Sequence, residues 1–131
     1  MHVLVLDTQP RAAVVDVVRM LDYEKLDVYG CAIEHLAFVF AALPKLPRGS
    51  SALADQWRCA ATSVPMNIAE AVGKTSRPDR MNKFAIARGE AMECGAILDV
   101  VRLLDTLPPS EIERAKRLLV RTVEMLSRLC R

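Results

Sequence analysis

Leu53-Ala54-Asp55-Gln56-Trp57-Arg58-Cys59-Ala60-Ala61-Thr62-Ser63-Val64-Pro65-Met66-Asn67-Ile68-Ala69-Glu70-Ala71-Val72-Gly73 is the stretch that decides the fold. Leu53, Trp57, Ala60, Val64, Ile68 and Ala71 recur at three- and four-residue intervals, so they share one helical face. Asp55, Arg58, Asn67, Glu70 and Lys74 fall mostly off it. Pro65 breaks the pattern. It has no N–H for the Ala61 carbonyl, and its ring crowds that turn, at a typical cost of ~3 kcal/mol. A bent helix that wraps a core is the expectation, rather than a loop from Val64 to Asn67. The alternative role for the bend is to shape a subunit contact or a binding groove.

Outward from this helix, the punctuation gives three more. Helix one is expected from about Leu26 to Leu43, with Tyr29, Ile33, Leu36, Phe40 and Leu43 buried and Pro44 and Pro47 ending it. Ser50 or Ser51 can cap helix two, and Gly73 is a natural stop. Ser76-Arg77-Pro78-Asp79 reads as a helix start, and helix three should run to about Asp105, with Phe84, Ala91 and Leu98 seven apart. Pro108-Pro109 blocks continuation. Ser110-Glu111-Ile112-Glu113 reads as a second capping box. Helix four then carries Ile112, Ala115, Leu119, Val123, Leu126 and Cys130 inward. Short links between four amphipathic helices predict an all-α, antiparallel up-down-up-down four-helix bundle. Hydrophobic content of 52% with only 5% aromatic suits helix-on-helix packing.

The central residues also carry a family resemblance. Gln56 to Glu70 resembles the Q-L-R-R-A-A-V-S-I-P-x-N-I-A-E-G signature of the four-helix-bundle proteins encoded in 23S rRNA intervening sequences, sometimes labelled S23 ribosomal proteins. The match continues through Ser76–Asp79 and Phe84–Glu93, and Leu26-Asp27-Val28-Tyr29 is similar to the family's opening. It covers residues 22 to about 130. Ala71 and Glu90 depart from the pattern, replacing a glycine and a serine. The resemblance implies a bundle that assembles into a pentamer. It also implies kinship with the accessory protein of diversity-generating retroelements, which binds nucleic acid and a reverse transcriptase. It transfers fold better than role.

Residues 1–21 lie outside the resemblance and form an N-terminal extension to the domain at 22–131. Val3 to Leu6 suit a short strand or an extended arm. Ala13, Val14, Val17, Val18 and Leu21 suggest a short helix. No basic lead precedes Val3-Leu4-Val5-Leu6, and no apolar run reaches 18 residues, so neither a signal peptide nor a membrane span is expected. The expected location is the cytoplasm. Cys31, Cys59, Cys94 and Cys130 each sit in a helical pattern and are expected as reduced thiols.

Catalytic chemistry finds little support. Gly73-Lys74-Thr75 imitates the end of a phosphate-binding loop, but Ile68 stands where that motif needs glycine. With only His2 and His35 there is no zinc set and no Glu-x-x-His pair, so no metal, no cofactor and no enzyme activity are expected. Charge is informative in its distribution. Net charge is +2, yet residues 45–88 carry eight basic and three acidic groups, and residues 110–131 carry six and three. Arg58, Lys74, Arg77, Arg80, Lys83 and Arg88 around the 2–3 turn, with Arg114, Lys116, Arg117 and Arg121 on helix four, are therefore candidate contacts to RNA or DNA backbone. Pro65, Asn67, Glu70 and Gly89 are the candidate oligomer contacts, with Arg88 a partner for Glu70. For Asn67 and Glu70 the alternative is local: satisfying freed carbonyls or capping a neighbouring helix. The competing reading of the basic residues is a pure assembly or protein-interaction module.

Overall fold

Proline, glycine and capping residues set where this chain turns, and apolar stripes set how its helices meet. A computed structural model describes residues 3–5, 15–17 and 20–131. Its helices are α1 (Asp27–Ala42), α2 (Ser51–Gly73), α3 (Arg77–Leu104) and α4 (Pro109–Leu129). Short 3-10 turns flank α1 at Asp22–Lys25 and Leu43–Lys45. Each helix packs on the next, and α4 packs back on α1. Cross-helix pairs run in opposite sequence order at these seams. Phe38 meets Trp57, Glu70 meets Lys83, Gln56 meets Glu93, and Asp99 and Arg88 meet Lys116 and Ser127. Helices α2 and α3, and α3 and α4, are therefore antiparallel within a bundle of four helices.

α2 is one helix through Pro65, so no loop spans Val64 to Asn67. Its buried face comprises Trp57, Ala60, Ala61, Val64, Pro65, Ile68 and Ala71, while Leu53 is only half-buried. α3 begins as its sequence suggested: the Ser76 hydroxyl accepts from the Asp79 N–H at 3.2 Å. It ends on Asp105 in the left-handed region, φ 55°. Phe84, Ala91 and Leu98 are buried on it. The connection into α2 turns at Gly49, φ 91°, where a side chain would be strained.

Four expectations need correction. In α1 the buried residues are Val28, Cys31, Ala32, His35, Val39 and Ala42, while Ile33 and Phe40 are exposed. This helix is apolar nearly all round, so its spacing alone does not choose a face, and the face that packs on α2 and α4 is the one that is buried. The capping box at Ser110 does not form. Pro109 takes the first helical position, so Ser110 falls inside the first turn. Ser50 occupies the cap of α2 without a side-chain bond. Finally, Val15–Val17 is not helical but a strand, β2, antiparallel to β1 at Val3–Val5, with Val3 opposite Val17. β-branched valines are stiff in a helix and fit a pleated pair. The remainder of the expected N-terminal helix lies outside the described residues, apart from Met20 and Leu21, which are not helical.

By length and composition Asp27–Lys45 could cross a membrane, contrary to the run-length estimate. Here it packs between α2 and α4 as a core helix.

Candidate nucleic-acid interface

The 2–3 turn places positive charge at one end of the bundle. Helix α2 ends at Gly73, Lys74 is extended, and Ser76 starts α3 with Arg77 and Arg80 in its first turn. The guanidinium of Arg80 donates to the Lys74 carbonyl, and that of Arg77 to the Arg131 carbonyl, each at 3.2 Å. Because α4 runs antiparallel to α3, its end returns Arg128 and Arg131 to the same place. Arg77, Arg80, Arg128 and Arg131 line one cleft of about 440 Å³. Its remaining lining is apolar: Leu26, Val72, Met81, Phe84 and Leu129. Among the described residues, none of the four arginines forms an ion pair with an Asp or Glu side chain. Arg77 and Arg80 also stand at the positive end of the α3 dipole, where a cation is unfavourable unless an anion joins it.

Most other basic candidates are already engaged. Arg58 pairs with Asp55 at 2.8 Å, and Lys83 with Glu70 at 3.4 Å. Lys116 pairs with Asp99, and its hydrogen bond and charge hold that carboxyl below the usual range. Arg88 is half-buried, and its Nε donates to the Ser127 hydroxyl at 2.7 Å, bracing α3 on α4. Arg114 belongs to a separate cleft between α1 and α4, of mixed sign, with Lys45, Glu34 and Glu111. Arg117 and Arg121 are exposed on α4. The structure therefore gathers Lys74, Arg77 and Arg80 and disperses the rest. Arg128 and Arg131 were missed, although the antiparallel order of α3 and α4 was the signal that would have placed them.

The candidate oligomer contacts fare unevenly. Pro65 is fully buried in its own bundle, so its side chain cannot serve as a subunit contact. The Asn67 amide donates to the Ser63 carbonyl and hydroxyl, both at 2.9 Å, the local arrangement rather than a capped neighbour. Glu70 finds Lys83, not Arg88. Gly89 is exposed, and a Cβ there would meet nothing within 4 Å. On the same helix Met92, Ala96, Val100 and Leu103 are exposed at four- and three-residue intervals, Leu103 to 83%.

Two buried polar atoms have no partner among the described residues, His35 Nε2 and Trp57 Nε1. Burial lowers the His35 pKa from 6.5 to about 4. Burial, then Glu90 and Glu93, pushes the Cys94 thiol up to about 12.

Comparison with solved structures finds a protein of unknown function from the S23 ribosomal protein family of Bacteroides thetaiotaomicron. It superposes with a TM-score of 0.72 at 22% identity, over 79% of this chain and 98% of that one. At that identity the likeness shows the fold. Comparison with curated proteins finds no match. The family model for the 23S rRNA-intervening sequence protein matches residues 24–128, spanning all four helices, and the chain belongs to that family.

Proposed function

We propose that this chain is a non-catalytic cytoplasmic bundle that assembles as a homo-oligomer, a pentamer, and binds RNA or DNA backbone through the end formed by the 2–3 turn and the close of α4. The observation that carries the reading is the cleft of four arginines that, among the described residues, have no Asp or Glu side-chain partner. Guanidinium groups match phosphate geometry and stay charged at any working pH. The exposed apolar stripe on α3 supports assembly, which would repeat the basic end around a symmetry axis.

The test is a mobility shift with a structured RNA across a salt series, beside sedimentation at the same salt. Arg77→Gln, Arg80→Gln and Arg128→Gln together should weaken binding to all sequences alike. The slope of log affinity against log salt should fall by about one for each phosphate that the variant no longer neutralises. Sedimentation should be unchanged. If the wild-type protein binds no nucleic acid at ~50 mM salt, where such contacts are strong, the chain is an assembly module instead. The α3 stripe is the observation that favours this second reading.

A further inference from the structure

We propose that the arginine cleft takes one unstacked nucleotide of a single strand, with its phosphate on the guanidiniums and its base on the apolar floor. The inference rests on the nucleic-acid reading above and narrows it. Backbone binding alone needs only clustered positive charge on an accessible face. This site has more. It is an open depression of about 440 Å³ on the surface. Its charge lies on two walls: Arg77 and Arg80 open α3, and Arg128 and Arg131 close the chain's last turn. The same cleft is lined by Met81, half-buried, and Leu129, 37% exposed. A duplex keeps its bases stacked inside and offers phosphates on a convex ridge, so it leaves such a floor unused. A single strand can turn a base out onto it. Met81 and Leu129 have no hydrogen-bonding edge with which to read a base, so the contact is tolerant of sequence. The methionine can reshape around purine or pyrimidine.

Fluorescence anisotropy with a labelled ~10-nucleotide single strand, and with the same sequence as a blunt duplex, tests this at low salt. The single strand should bind about tenfold more tightly than the duplex, as burial of one base face against apolar side chains would give. Met81→Gln with Leu129→Gln should remove that advantage and leave duplex affinity and both salt slopes unchanged. Leu129→Gln alone, at the more exposed position, should show part of the loss if the double variant does not fold. Equal affinity for the two substrates, unaltered by either variant, overturns the nucleotide cleft while leaving backbone binding intact. No binding of either substrate overturns both readings.

Discussion

His35 makes the bundle's stability fall in mild acid. Its ring is 1% exposed in the core face of α1, and its Nε2 has no partner among the described residues. The folded pKa is about 4, against 6.5 for the unperturbed group, because burial penalises the charged form. Between these values the unfolded chain binds the proton and the folded one does not, so stability is lost as pH falls from 6.5 towards 4. The full effect is about 3 kcal/mol, and about 2 kcal/mol of it falls between pH 7 and pH 5. Glu90 opposes this trend. Burial and Glu93 hold its carboxyl above the usual range, so acid relieves it. Asp99, held low by Lys116, matters only at lower pH. The measurement is therefore a difference: urea unfolding of the wild type and His35→Leu at pH 7 and pH 5. The wild type should lose about 2 kcal/mol more than the variant over that interval. Parallel losses in the two proteins would refute the reasoning, since every other titrating group is shared.

Two further outcomes follow from burial. Trp57→Ala removes the largest fully buried side chain and should cost about 3–5 kcal/mol in urea unfolding, since the edge-on packing against Phe38 goes with it. Alkylation of the native protein at pH 8 should modify exposed Cys59 first and leave Cys94 intact, because the Cys94 thiolate is disfavoured and its sulfur inaccessible.

The bundle was legible in the sequence because its signals were redundant. Trp57, Val64 and Ile68 agree in phase, and Ser76 with Pro78 starts α3 where spacing requires. Where only one signal was present, it misled. In α1 almost every position is apolar, so periodicity cannot choose a face; the neighbour chooses it, by admitting Ala32 and Ala42 while leaving Phe40 outside. At Ser110 the cap pattern was present, but Pro109 fixes the backbone one residue earlier. Among the valines near residue 15, spacing was read as a helix, and the β-branched side chains form a strand instead. The basic site was half legible for a different reason. Lys74, Arg77 and Arg80 are local in sequence. Arg128 and Arg131 join them only through tertiary folding. Charge counts likewise could not separate free arginines from those engaged, such as Arg58 with Asp55.

The closure of α4 onto α1 has a consequence for how the chain is made. During synthesis α1 emerges early, and α2 can cover only one of its flanks. The other flank stays bare until the 21 residues of α4 have cleared the ribosome. For that interval the most apolar of the four helices, one with the composition of a membrane span, is half-dressed. Nascent chains stalled before Pro109 should therefore be the species that recruits a chaperone, and release of the full bundle the step that frees it.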